Sequence, residues 1–486
     1  MIEKLPKLDK IPAFRRLLER VENGKKKINI DGLAGSSRAL LASWLYLKTG
    51  RTVLYITPET ESSEKVYDDF SAYLNGEKIS LYPSWEIQPY EIRAPHAENI
   101  GDRLKTLHDL LHKRKLIIAV PAQALLEPTI ECSKLERLAL EFSEGQSLDP
   151  EDLKVRLVEM GFNRQPVVEQ LGDFAVRGGI LDIFPATASE PIRIEFFGNE
   201  IESIRTFSVL TQRSLERRRQ AVVLPLREFP IEMGMVDLVS GELPQEQAIA
   251  LHEALGPAGI YDGLEYFSQL FESRKSSLFD YLPEDAIIIQ DDPVQIAEQI
   301  DDIREKAGRR YEERGDYPFG RPGEIYIDYS QIRAKIEERS LINLQGIIKE
   351  GPVDLEIAAV PQEPTGSHIK TFAEKLAAFR REGRSAIIFC DGESQKRRMG
   401  ELLSEYDIAV PIESKRISEG FGLPDISLWF LTDHEIFSRQ ITRKKLRRFK
   451  EGIALSSYQS LQPGDYVVHI DHGIGRYRGL ETIMVD

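Results

Sequence analysis

Along residues 26–120, short apolar runs alternate with amphipathic stretches. KINID (27–31), TVLYITP (52–58), KISLYP (78–83) and LIIAVP (116–121) have the length and bounded apolar character of buried strands. Between them, a segment running to about Lys48, ESSEKVYDDFSAYL (61–74) and a segment over about 100–113 carry apolar residues at helical spacing. Strands separated by crossover helices predict a parallel sheet covered on both faces.

The pattern changes near residue 128. DPEDLKVRLVEMG (149–161) predicts a helix, and DFAVRG, GILDIFPA, PIRIEFFG and EIESIRTF follow as short strands separated by turns. In IRIEFF, Arg193 and Glu195 alternate with apolar neighbours, the mark of a half-buried antiparallel strand. Residues 128–204 therefore predict a compact α+β insertion. Alternating α/β character returns from about 205 to 345, most clearly in SSLFDYLPEDAIIIQDDP (276–293). After EGPVDLEIAAVPQEPTGS, residues 350–455 predict a further small α/β domain: helix IKTFAEKLAAFRREG, strand AIIFC, a helix to about Ser404 and strand ISLWFLT. The charged stretch RQITRKKLRRFKEG and the strand-and-turn segment LQPGDYVVHIDHGIGRYRGLETIMVD close the chain, the latter expected to open a further domain.

Composition adds boundaries. The 486 residues exceed one core, and a formal charge of -15 disfavours unspecific binding of nucleic acid over the whole surface. The two cysteines, Cys132 and Cys390, supply neither a disulfide framework nor metal spacing. No apolar signal segment or membrane-length run is present, so a soluble, cytoplasmic protein is expected.

Candidate chemistry is sparse. Gly32-Leu33-Ala34-Gly35-Ser36-Ser37-Arg38-Ala39 sits between a strand and a helix, in the frame of the phosphate-binding pattern G-x-x-x-x-G-K-[ST]. Ala39 offers no oxygen to Mg²⁺, Arg38 replaces a compact ammonium with a planar fork, and Ser37 adds a Cβ where glycine lets phosphate approach. The favoured reading is a strand–turn–helix kept for packing. Asp291 and Asp292 end an apolar strand like a second, metal-holding half-site; strand end and helix cap is the simpler reading. His469 and His472 flank Asp471 without further ligands nearby, and read as turn and strand residues. No metal site and no catalytic residue is expected. Arg217-Arg218-Arg219 and Arg443-Lys444-Lys445 with Arg447-Arg448 are read as solvated faces, with DNA contact the alternative.

Several separated blocks carry a resemblance: YPSWEIQPYE (82–91), DRLKTL (102–107), GDFAVRGGILDIFPA (172–186), PIRIEFFGNEIESIRTFSVLTQRSLE (191–216), GLEYFSQLF (263–271) and GDYVVHIDHGIGRYRGL (464–480). Together and in order they resemble the N-terminal half of the bacterial transcription-repair coupling factors (Mfd), whose first part is similar to the excinuclease subunit UvrB. The resemblance implies a degenerate RecA-like lobe (1–127 with 205–345) and an inserted domain (128–204) that engages the excinuclease subunit UvrA. It also implies a domain of undefined role (350–455) and, after a linker from 456, the start of a β-barrel-like RNA-polymerase-interacting domain near Gly464. In that family ATP and Mg²⁺ belong to a helicase-type motor, which grips double-stranded DNA and lies outside these residues. No cofactor and no ATPase is expected in this region, while a full-length parent would be an ATP-dependent DNA translocase. The segment EIRAPHAENIGDRLKTL leaves no room for UvrB's damage-probing hairpin. The resemblance places UvrA contact on Arg164, Arg177 and Phe184; the alternative for the arginines is a local ion pair with Asp173 or Asp182. A divergent nucleotide-dependent helicase-like enzyme using Arg38 with Asp291 and Asp292, or a DNA-binding protein, is the competing reading.

Overall fold

The fold comes from a computed structural model, which describes residues 6–74, 76–230, 235–255, 263–271, 275–314, 318–349, 351–363, 368–436, 466–469 and 473–476. The chain divides into two compact units: residues 1–141, 151–162 and 222–445, and residues 142–150, 163–221 and 446–486.

The larger unit is built on a seven-stranded parallel sheet. Its order is Leu355–Glu356, Lys27–Asp31, Ser340–Leu344, Ile287–Asp291, Val53–Thr57, Ile117–Pro121, Ile79–Leu81. Val53–Thr57 and Ile117–Pro121 are buried at every position, as strands covered on both faces must be. Successive side chains serve opposite faces. Leu54, Ile56, Ile118, Val120 and Ile288 enter one core; Val53, Tyr55, Ile117, Ala119, Ile287 and Ile289 enter the other. The predicted helices form as Ser37–Thr49, Thr60–Tyr73 and Ala97–Leu111. The first ends on Gly50 at φ 59°, a left-handed C-terminal residue.

Residues 351–363 and 368–436 fall in the same compact unit as this lobe. Leu355–Glu356 adds to the edge of its sheet, and a five-stranded sheet follows in the same unit: Val360–Pro361, Phe421–Leu423, Leu428–Thr432, Ser385–Phe389, Ile412–Glu413. Aromatic rings join the two layers. Tyr73 meets Phe389 and Phe430 edge-on at 6.4 and 6.3 Å, and Phe421 stacks on Phe430 at 4.6 Å.

One core of the lobe contains a buried polar network. Arg103, fully buried, donates from Nε to Glu228 (3.0 Å) and from Nη1 to Glu127 (3.0 Å) and the Pro83 carbonyl (3.0 Å). Its Nη2 reaches the Pro128 carbonyl (3.2 Å). The guanidinium lies over the Tyr82 ring at 4.3 Å, and the Trp85 indole N–H donates to Glu228 at 2.9 Å. Two carboxylates around one cation cannot both be charged without strain on the balance. Burial pushes Glu127 up to about 8 despite the attraction of Arg103.

The smaller unit carries a six-stranded sheet, ordered Ser214–Arg218, Glu200–Phe207, Ile192–Phe197, Ile180–Ile183, Asp173–Arg177, Asn163–Arg164. Every pair is antiparallel except the last, which is parallel. This sheet runs past residue 204 to Arg218. Ser214–Arg218 is exposed throughout, so no apolar alternation announces it. The predicted strand-and-turn segment near the C-terminus forms a hairpin, Tyr466–His469 with Gly473–Arg476. His472 and the basic cluster Arg443, Lys444, Lys445, Arg447 and Arg448 lie outside the described residues.

Candidate functional sites: a sealed phosphate loop and an arginine-bearing sheet

The loop from Gly32 to Ala39 has the strand–turn–helix course of a phosphate cradle, but its space is taken by the chain itself. A Cβ on Gly32 would lie 2.5 Å from the Ile357 carbonyl oxygen, and one on Gly35 would lie 3.0 Å from that of Gly420. Both glycines hold positive φ (86° and 53°), so the bend of the loop needs them as well. The Ser36 N–H donates to the Glu419 carbonyl (3.3 Å), and the Ser36 hydroxyl donates to the same oxygen (2.8 Å). Ala34 N–H donates to Ser37 Oγ (3.0 Å), and Ser37 N–H to the Ala34 carbonyl (3.2 Å). A working cradle aims free N–H groups at an anion. Here the N–H groups of Ala34, Ser36 and Ser37 are occupied, and the Ile357 and Gly420 carbonyl oxygens lie against Gly32 and Gly35. The seal is held in register by Asp69, whose carboxylate accepts from Ser418 N–H and hydroxyl (2.5 and 2.7 Å).

Arg38 leaves the cradle altogether. It forms an ion pair with Asp291 and donates from Nη2 to the Gln345 carbonyl at 3.0 Å. Burial opposes its charge, but the attraction of Asp291 and Tyr55 outweighs this and holds its pKa above the ordinary value. Tyr55 donates its hydroxyl to the other Asp291 oxygen (2.7 Å), so both oxygens of that carboxylate are engaged. Asp292 caps the helix Pro293–Glu312: its side chain accepts from Gln295 N–H at 3.2 Å. Ala39 is buried in the core. The structure thus joins the loop and the strand end directly, by the Arg38–Asp291 ion pair.

The six-stranded sheet presents a different kind of surface. Its register sets Asp182 opposite Arg193, Arg193 opposite Arg205 and Arg205 opposite Arg217. Arg193 grips Asp182 bidentately (Nε–Oδ1 2.7 Å, Nη2–Oδ2 2.8 Å) and lies over the Phe207 ring at 4.6 Å. Donation to the Asp182 carboxylate is the main reason the pKa of Arg193 is raised. Arg177 adds a single contact to Asp182, Nη2–Oδ2 3.0 Å, while its side chain stays 49% exposed. Asp173 is not its partner; that carboxylate accepts from the backbone of Glu169 and Gln170. Further along, Glu195 lies 3.8 Å from Arg205, and Arg217 pairs with Glu144 at 2.8 Å. Arg218 pairs with Glu216. Arg164 is exposed on the edge strand.

Phe184 does not reach this surface. It is fully buried in a small core with Val168, Ala175 and Phe207, just past the end of the strand Ile180–Ile183. The row Arg193–Arg205–Arg217 escaped the sequence reading. Its only signal was the position of each arginine on a polar strand face, and register, which aligns them, is not written in alternation.

Comparison with known proteins bears on both features. Residues 140–229 match the family model for the UvrB interaction domain, and residues 461–486 match that for the CarD-like/TRCF RID domain. The transcription-repair-coupling factor of Bacillus subtilis is 26% identical over 97% of this chain and 44% of its own length. That of Staphylococcus haemolyticus is 26% identical over 95% of the chain and 43% of its own length.

Along nearly its whole length the chain is similar to the transcription-repair-coupling factors.

It spans less than half the length of these relatives. The match to the UvrB interaction domain contains Arg164, Arg177 and the whole arginine row, and the similarity to the coupling factors extends over the sealed loop as well. Among solved structures, Cryptosporidium parvum pyruvate kinase covers 90% of this chain at 11% identity, but a TM-score of 0.12 carries no argument about the fold. Among the described residues no helix is long and apolar enough to cross a membrane.

Proposed function

We propose that this chain is an adaptor region of a transcription-repair coupling factor, recruiting UvrA to RNA polymerase stalled at DNA damage. It has no ATPase of its own. The observation that carries the reading is the coincidence of the UvrB-interaction-domain match with a sheet on which Arg177 stays half exposed, Arg164 on the edge strand being exposed as well. Arg177 spends one nitrogen on Asp182 and keeps its remaining donors at the surface, where a second carboxylate can be gripped by the fork. Phe184 is buried in the small core and is assigned no contact with the partner. The hairpin near the C-terminus falls in the match to the RNA-polymerase-interaction family and is assigned to the polymerase side. ATP-driven movement on double-stranded DNA belongs to other parts of the longer coupling factors, and the setting is the cytoplasm. Co-elution of the chain with purified UvrA on a sizing column tests the reading. The wild type forms a complex that Arg164→Glu and Arg177→Glu each weaken; a wild type that elutes alone contradicts it.

A further inference from the structure

The helix Ala97–Leu111 carries a feature that the adaptor function leaves unused. It ends in HDLLH, with His108 in its last turn and His112 as the residue that caps it, four positions apart. The strand Leu140–Ser143 brings Glu141 against them. Glu141 Oε1 lies 3.3 Å from His112 Nε2 and 3.7 Å from His108 Nε2, and the three ligand atoms lie within 4.8 Å of one another. Tetrahedral zinc with bonds of about 2.0–2.1 Å sets its ligand atoms roughly 3.3 Å apart, so two of these edges are already near the required length.

Two further observations point to a ligand. His112 Nδ1 lies 2.9 Å from the His108 carbonyl and donates its proton there, which leaves Nε2 as the lone-pair nitrogen aimed at Glu141. His108 Nε2 is buried with no hydrogen-bond partner, on a side chain only 10% exposed. A buried polar atom left unmatched is disfavoured, and a metal ion would satisfy it. His112 and Glu141 are about half exposed, so the open side of the triad faces solvent and leaves room for a water ligand.

We propose that His108, His112 and Glu141 form a divalent transition-metal site of the zinc class, with water as the fourth ligand. Two imidazoles and one carboxylate suit zinc and exclude a hard-cation site for Mg²⁺ or Ca²⁺, which take oxygen ligands. Glu141 is the last residue of the larger unit before the chain enters the residues of the smaller one. The metal would therefore staple the helix to the point where the chain leaves the lobe, a structural clip rather than a catalytic centre. The sequence signal was the H-x-x-x-H spacing; its third ligand, 29 positions beyond His112, had no local mark.

The test is calorimetric titration of the untagged full chain, stripped with EDTA, with Zn²⁺, beside His112→Ala and Glu141→Gln. Both substituted residues are exposed enough for the fold to persist, which the thermal transition of the metal-free variants checks. One zinc per chain with micromolar or tighter affinity is expected, weakened at least a hundredfold in His112→Ala and at least tenfold in Glu141→Gln. Titration with Co²⁺ should give the intense visible absorption of a tetrahedral site in the wild type only. No stoichiometric binding, or binding unchanged in His112→Ala, overturns the proposal.

Discussion

Replacing Arg103 with methionine tests whether the buried network is a structural keystone of the lobe. The guanidinium makes four hydrogen bonds, two to Glu127 and Glu228 and two to the carbonyls of Pro83 and Pro128, with no exposed surface on any of the three charged side chains. Methionine fills much of the volume but leaves a carboxylate buried without a counter-charge, a change that destabilises by roughly 3–5 kcal/mol. The pH dependence gives a second handle. Burial raises Glu127 to about 8 and Glu265 to about 7, against ordinary values near 4.5. The folded chain thus binds more protons than the unfolded chain between about pH 4.5 and 8, so stability falls as pH rises through that window. Without Arg103 the main attraction lowering Glu127 is gone, its pKa rises further, and the deficit of the variant widens from pH 6 to pH 8. Urea unfolding followed by tryptophan fluorescence reads this directly, since Trp85 sits in the network. Arg103→Met combined with Glu228→Gln should recover at least half of the loss. A deficit below about 1 kcal/mol, smaller than the worth of a single ordinary pair, or one that shrinks as pH rises, refutes the reasoning.

Two further outcomes follow from the sealed loop and the small sheet core. Restoring the phosphate-loop consensus with Ser37→Gly, Arg38→Lys and Ala39→Thr should give no saturable thermal shift with Mg-ATP, because the Ile357, Glu419 and Gly420 carbonyls still fill the cradle. A saturable shift in the wild type that Arg38→Ala abolishes contradicts the sealed-loop account. Phe184→Ala should lower the stability of the smaller unit by about 3–5 kcal/mol, the range for a fully buried phenylalanine, and lose partner binding only through unfolding. Weakened binding with an unchanged thermal transition would instead place Phe184 at the interface.

Much of the architecture was legible because its strands are buried on both faces. Runs such as TVLYITP and LIIAVP can be little else, and each became a central strand of the parallel sheet. Edge elements were not legible: Leu355–Glu356 and Asn163–Arg164 are two residues long, and Ser214–Arg218 has no buried side chain. The departure of the loop from the phosphate-binding pattern was visible at Ser37, Arg38 and Ala39 alone. What packs against the loop was not, since Glu419 and Gly420 lie more than 380 positions downstream of Gly35. On the sheet, alternation gave Arg177 a polar face but left Asp173 and Asp182 equal as partners. Hairpin register decided between them, placing Asp182 opposite Ala175 and diagonal to Arg177.

The measurement that tests the adaptor reading most directly is calorimetric titration of the chain with purified UvrA, wild type beside Arg177→Lys and Arg177→Glu. The account predicts micromolar or tighter binding by the wild type and partial loss in Arg177→Lys, which keeps charge but not the fork. For Arg177→Glu it predicts a loss of at least about thirtyfold, the equivalent of about 2 kcal/mol for a central arginine anchor. The thermal transition of all three should agree, since Arg193 still holds Asp182. Equal affinity for the three folded proteins, or no binding by the wild type, would contradict it.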